Sequence, residues 1–163
     1  MALDHLFQGS ALNAVDAKGR VSVPAFLRNV IERRGDARTI VIAKHDAFAC
    51  LSAYDPGYAA LKHAKIERQF EKDELNPEAE LAYQARTLMA FGATEEVPYD
   101  SSGRIVLPPM MRAKGGIEDL ALFLGAGETF QIWNPKLFLA DKRVPGDLKD
   151  IARFRLEERG VKP

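Results

Sequence analysis

Hydrophobic positions fall into short alternating or continuous runs near both ends of the chain and take helical spacing in its middle. In the run from Arg20 to Val23, Val21 and Val23 share a face while Ser22 looks outward, which predicts a half-buried strand. The matching run after Arg104 has Val106 in place of that serine, so burial on both faces is expected there. Pro24 then opens a helix whose apolar stripe is Phe26, Leu27, Val30 and Ile31, with Arg28 and Glu32 outside and Gly35 as its stop. Its counterpart is shorter, Pro109 through Lys114. Continuous apolar runs follow, TIVIA after Gly35 and LALFL after Gly115 and Gly116. Each leads to a phenylalanine (Phe48, Phe130), a short apolar strand and an Asx-Pro pair, Asp55-Pro56 and Asn134-Pro135. Such a pair offers a helix N-cap followed by proline at the first helical position, where its missing N–H costs nothing. In the middle, Asn76-Pro77 is expected to start a helix with Glu78 and Glu80 at its positive end and Leu81, Ala85, Leu88 and Met89 as a buried stripe. Asp147 is expected to cap a last helix running to Arg159.

These elements are a duplication. The stretch DAKGRVSVPAFLR, Asp16 to Arg28, returns 84 positions later as DSSGRIVLPPMMR, Asp100 to Arg112. Phe7 and Phe91 each precede the motif by nine residues, so the shared spacing begins one strand upstream. The unit reads strand, turn, strand, short helix, strand, strand, helix. Within Asp16-Ala17-Lys18-Gly19 the aspartate suits the first position of a type I turn, where its carboxylate bonds amides two residues on, and glycine supplies the left-handed residue that closes it. Asp100-Ser101-Ser102-Gly103 repeats that chemistry. Arg20 and Arg104 follow directly, near enough to Asp16 and Asp100 for an ion pair to bracket each turn. A half of some 45 residues is below the size at which a lone core usually suffices. The expected architecture is therefore α+β and β-rich: one pseudo-two-fold body with flanking helices, not two independent beads. The boundaries read as 5–54 for the first repeat, 55–90 for a helical spacer, 91–134 for the second repeat and 135–163 for C-terminal helices.

Composition narrows the functions. The 163 residues are 47% hydrophobic, enough for a core, and no apolar run approaches the ~18 residues of a membrane-spanning helix. The first ten residues place an acid and a histidine early and do not read as a secretory signal, so a cytoplasmic address is expected. The single cysteine, Cys50, lies in an apolar stretch, which excludes an intramolecular disulfide and favours a buried structural thiol. Net charge is zero, but unevenly distributed: Lys18, Arg20, Arg28, Arg33 and Arg34 face only Glu32 between positions 17 and 34, whereas three bases face six acids between 65 and 80. With a Debye length of about 8 Å, the local sum is what a partner feels. No phosphate-binding G-x-x-x-x-G-K-[ST] loop, G-x-S-x-G elbow or doubled C-x-x-C is present, and His45-Asp46, His5 and His63 offer no ligand spacing. No catalytic residue, cofactor or metal is expected.

The candidate functional residues are the exposed cations of the motif. Lys18 and Arg20 sit on one turn, where long cations can reach phosphates or guanine edges; the competing reading pairs Arg20 with Asp16 and Arg104 with Asp100 for structure alone. Arg28 and Arg112, on the outer faces of their helices, are open to phosphate contact or to solvent; Arg33 and Arg34 read as helix-end charges. Asp16, Gly19, Asp100 and Gly103 are the structural residues of the motif.

The doubled Asp-x-x-x-Arg motif, each copy followed by a proline and a second arginine and separated by a helical spacer, resembles the MraZ family, bacterial transcriptional regulators of the division and cell wall gene cluster. The resemblance implies two SpoVT-AbrB-like repeats forming a swapped-hairpin barrel and a ring-shaped, octamer-like homo-oligomer. It also implies binding to directly repeated elements in duplex promoter DNA, including the promoter of its own gene, with a repressor's role at the nucleoid. Lys18, Arg20, Arg28, Arg104 and Arg112 are the DNA-binding residues it implies. Ser101 and Ser102 stand where the first turn has Ala17 and Lys18, so unequal contributions from the two turns are expected. An antitoxin-like or protein-interaction module is the alternative, although helices here separate and follow two copies where a single copy with a toxin-binding tail would be usual.

Overall fold

Each copy of the repeat keeps one hairpin of its own and pairs its other strands with its twin. The computed structural model describes residues 5–163, so Asp4, part of the N-terminal reading above, lies outside the described residues. The first copy supplies β1 (Ser10–Ala14), β2 (Arg20–Ser22), α1 (Ala25–Arg34), β3 (Thr39–Lys44) and β4 (Leu51–Tyr54). The second supplies β5 (Glu95–Pro98), β6 (Arg104–Val106), α4 (Pro109–Gly115), β7 (Leu120–Gly125) and β8 (Phe130–Trp133). Between them lie α2 (Tyr58–Lys72), α3 (Ala79–Thr87) and a π turn over Leu88–Gly92; α5 (Pro135–Ala140) and α6 (Gly146–Glu158) follow. No helix among the described residues is long and apolar enough to cross a membrane.

The strands interleave. Six of them form one antiparallel sheet in the order β1-β7-β8-β4-β3-β5, and β2 pairs with β6 as a separate ribbon. The first strand of each copy thus pairs with the third strand of the other, Leu12 opposite Leu122 and Val97 opposite Ile40, and the copies meet at the centre where Ser52 faces Gln131. Exchanging the copies turns the strand order into itself read backwards, which is the expected pseudo-two-fold. The barrel does not close, because β1 and β5 end as opposite edges of the sheet.

The interleaving follows from what each copy must bury. One core holds Val21, Leu27, Ile31, Ile40 and Ile42 from the first copy against Ile105, Leu107, Met111, Ile117 and Phe123 from the second. A free two-stranded ribbon is marginal in water; β2 and β6 persist because Val21 and Ile105, cross-strand partners, both point into this core.

Several expectations are corrected by this packing. Val106 is 56% exposed, since a ribbon roofing a core has one inner face only. Phe26 is also exposed, leaving Leu27, Val30 and Ile31 as the buried side of α1. Phe7 is buried and bridges Gly127, whereas Phe91 lies in a π turn, so the upstream equivalence holds for the strands β1 and β5 but not for the two phenylalanines. Leu81, Leu88 and Met89 are exposed instead of buried, because among the described residues nothing covers Leu81 and Leu88, and Met89 lies at an open cleft between the spacer and the sheet. Asn134 caps α5, its Oδ1 accepting from the Lys136 N–H at 2.9 Å, but Asp55 does not cap α2. Its Oδ1 instead accepts from Arg34 Nη1 at 2.8 Å, the two side chains only 7% and 4% exposed. Arg34 also donates to the Glu128 and His5 carbonyls and lies over the Phe7 ring at 4.4 Å, so besides being a last-turn charge of α1, as expected, it is a buried tie between copies. Asp147 lies within the first turn of α6, which Pro145 precedes.

Candidate nucleic-acid interface

The two motif turns are built from the aspartate outward. Asp16 Oδ1 accepts from the backbone N–H groups of Lys18 and Arg20, each at 2.9 Å, and its Oδ2 accepts from Arg20 Nε at 2.6 Å. Asp100 repeats the set with Ser102 N–H at 2.9 Å, Arg104 N–H at 3.0 Å and Arg104 Nε at 3.1 Å. The glycine N–H closes each turn onto the aspartate carbonyl, at 3.0 Å for Gly19 and 2.9 Å for Gly103. Both glycines are left-handed, φ 84° and 83°, as the turn chemistry requires. These bonds favour the ionised carboxylate. Asp16 and Asp100 are held below the usual aspartate range, chiefly by the backbone N–H of Arg20 and of Arg104 respectively.

Each turn is then locked to the opposite copy. The Gly19 carbonyl accepts from Leu107 N–H at 2.8 Å and the Gly103 carbonyl from Val23 N–H at 2.9 Å. The arginine that closes each motif serves the same cross-brace. Arg28 Nε donates to the Val23 carbonyl at 3.0 Å, and its guanidinium lies so close over Gly103 that a Cβ there would collide with Nε. Arg112 donates to the carbonyls of Ile117, Glu118 and, from the other copy, Asp16 at 3.1, 2.7 and 3.3 Å. The expected outer-face position of Arg28 and Arg112 is therefore corrected: both are half-buried, Arg112 with Nε, Nη1 and Nη2 all on backbone carbonyls, Arg28 with Nε on Val23 and its guanidinium packed over Gly103.

Lys18, Arg20 and Arg104 point the other way. The outer face of the ribbon carries Arg20 opposite Val106 and Ser22 opposite Arg104, all four exposed, with Lys18 on the adjoining turn. Pairing with aspartate does not exclude a second partner, because Arg20 and Arg104 spend only Nε on it and their side chains remain 51% and 55% exposed. The Nη edges are the donors that suit a phosphate or a guanine edge. Asn13 is a support that sequence patterning missed: its Nδ2 donates to the Ser22 carbonyl at 2.6 Å and fastens the ribbon to β1.

The remaining reactive residues serve the fold. Cys50 is buried, and burial pushes its thiol up to about 12, where it stays protonated and inert. His45 Nδ1 accepts from the N–H groups of Ala47 and Phe48 at 3.0 Å and so shapes the turn after β3. Among the described residues no three His, Cys, Asp or Glu side chains are grouped to hold a metal.

Comparison with known proteins places this geometry. The chain is 35% identical over 138 residues to the transcriptional regulator MraZ of Rhodospirillum rubrum, a match covering 83% of this chain and 84% of that one. The chain belongs to the MraZ family. The MraZ regulators of Parvibaculum lavamentivorans (33% identity, 86% of each chain) and Coxiella burnetii (32% identity, 78% of this chain and 79% of that one) are similar at comparable span. The family model described as "MraZ protein, putative antitoxin-like" matches residues 90–140, the second copy with its ribbon strand and α4. MraZ membership thus agrees with the α+β, interleaved body, and the pairwise matches are too long to fit within one copy.

Proposed function

We propose that this MraZ-family chain is a DNA-binding transcriptional regulator that presents the outer face of the β2/β6 ribbon to duplex DNA. The observation that carries the reading is the opposed use of the motif's arginines: Arg28 and Arg112 brace the turns from within, while Arg20, Arg104 and Lys18 stand exposed on a surface whose underside is the core. A two-stranded ribbon fits the major groove, and a ribbon anchored on a packed core meets DNA with little ordering cost. Lys18 makes the first turn the stronger contact; Arg28 and Arg112 act as positioning residues. The family's regulators support a role on promoter DNA, and we place the chain in the cytoplasm at the nucleoid, acting as a repressor on repeated elements that include its own promoter.

Three exposed cations neutralise few phosphates, and each contributes about 0.9 to the slope of log affinity against log salt on duplex DNA. One subunit alone binds weakly. A ring of copies engaging several repeats compensates, because linked sites raise effective concentration without new contacts. The test is binding of the purified protein to DNA upstream of its own gene, with one repeat, several repeats and a scrambled sequence, across a salt series. Strong preference for the multi-repeat DNA is expected; equal affinity for all three would remove the proposal. The family description also carries the antitoxin-like alternative, which the exposed Leu81 and Leu88 on the spacer favour as a protein-binding surface. Stoichiometric co-purification of a second polypeptide, with no DNA preference, would select that reading.

A further inference from the structure

The two flanks of the sheet are equivalent by the pseudo-two-fold, yet they are finished differently. Outside β7 and β8, the α5 and α6 helices complete an apolar cluster built on Leu122, Leu124, Trp133, Phe138, Ala152 and Leu156. Outside β3 and β4, the α2 and α3 spacer seals only Val41, Tyr54, Tyr58 and Leu61. The rest of that flank is a cleft of about 590 Å³ between the spacer and the sheet. The repeat puts Lys44 at the end of β3 where the second copy has Gly125, a glycine packed tightly against the Phe7–Gln8 backbone. A cation beside a cavity thus occupies a position at which its twin is closed by the Phe7–Gln8 main chain.

The charges in this cleft are not balanced. Lys65 is paired with Glu128 and Arg86 with Asp73. Lys44 and Lys62 also line the cleft, but their ammonium groups bond only neutral oxygens: Lys44 donates to the carbonyls of His45 and Phe48, Lys62 to Tyr54 Oη at 2.9 Å and the Ala90 carbonyl at 3.0 Å. Among the described residues neither has a carboxylate partner, and each keeps one of its three N–H donors. Among the described residues Asp46 is the one acid lining the cleft. Each half-buried ammonium thus leaves a donor and an uncompensated charge toward the same cleft, which suits an entering anion. Beside them the wall is apolar and aromatic, with Ile66, Met89 and the paired rings of Tyr54 and Tyr58, centroids 5.0 Å apart.

We propose that this cleft binds a small phosphorylated molecule with an aromatic or apolar body, of the nucleotide type, its phosphate bridging Lys44 and Lys62. Bound there, the ligand clamps the spacer to the sheet, and the spacer joins the two copies that form the ribbon. The proposal is independent of the DNA reading, and its site lies on other residues.

The test is calorimetric titration of the full-length protein with ADP, inorganic phosphate and adenosine. ADP is expected to bind saturably, phosphate more weakly and adenosine least. Lys62→Met keeps the side-chain stem, removes the charge and is expected to weaken ADP by about ten-fold, the value of one charge-assisted hydrogen bond. Ala85→Glu, at an exposed wall position where no bond is lost, is expected to weaken it similarly and guards against misfolding of the lysine variant. Lys18→Ala with Arg20→Ala is expected to leave ADP binding unchanged. Absence of saturable ADP binding, affinity unaltered by both cleft variants, or loss confined to the ribbon variant would each overturn the proposal, and none of these results bears on whether the ribbon binds DNA.

Discussion

The turn from Asp16 to Arg20 and the turn from Asp100 to Arg104 are the same object in backbone and different objects to a partner. Their glycine φ angles differ by one degree, and each aspartate holds the same two amides and one Nε. Outside, one turn offers Ala17 and Lys18 and the other Ser101 and Ser102. What the backbone needs is shared; what solvent meets is not. The lesson is that the aspartate and glycine of each motif build the turn, whereas the second and third turn positions and the Nη edges of Arg20 and Arg104 are what differ or stay open at the surface, which is where the proposed DNA contact is sought.

The largest effect tests whether the two strands share one roof. Ile105→Ala and Val21→Ala each remove a buried side chain from the same core and are expected to cost about 2–4 kcal/mol in chemical denaturation. A large loss from one and none from the other would break the equivalence. Next come the turn glycines. Gly19→Ala and Gly103→Ala force a left-handed alanine and are expected to cost about 1–2 kcal/mol each, measured as a shift in denaturation midpoint. Gly103 should suffer more, because its new methyl meets the Arg28 guanidinium.

The functional asymmetry is sharpened by exchange. Lys18→Ser is expected to lower the salt slope of DNA binding by about 1 per contacting subunit, and adding Ser102→Lys to that variant should recover most of it with stability unchanged. No recovery would mean that only the first turn reaches DNA. The smallest effect is in pH. Both aspartates titrate lower in the folded protein, so their contribution is present above the ordinary aspartate value of about 3.9 and is lost as pH falls through the folded value. Asp16→Asn and Asp100→Asn should each flatten the acid limb of the stability profile to a similar, small degree, because both carboxylates are solvent-screened.

What was legible in the sequence was local chemistry. The type I turns, the left-handed glycines, the Asp–Arg brackets and the Asn134 cap all involve residues within four positions of one another, where residue type constrains geometry directly. The contacts that escaped are long-range: Arg112 meets Asp16 across 96 positions, and Arg34 meets Asp55 and Glu128. A helix-face count shows that a stripe is amphipathic without naming its cover, which is why Leu81, Leu88 and Met89 read as buried and stand exposed. Val106 misled for a related reason, since an apolar residue on a three-residue ribbon says nothing of the second face. The lysines of the spacer cleft come from β3 and α2, and only the fold brings them to one cavity.

The most direct test of the account is the salt dependence of operator binding for the triple variant Lys18→Ser, Arg20→Ala, Arg104→Ala beside the unaltered protein. The account predicts a folded variant with an unshifted assembly state, near-complete loss of preference for multi-repeat operator DNA and a much flatter slope of log affinity against log salt. An affinity and slope matching those of the unaltered protein would contradict it, because the DNA would then be held by a surface other than the ribbon.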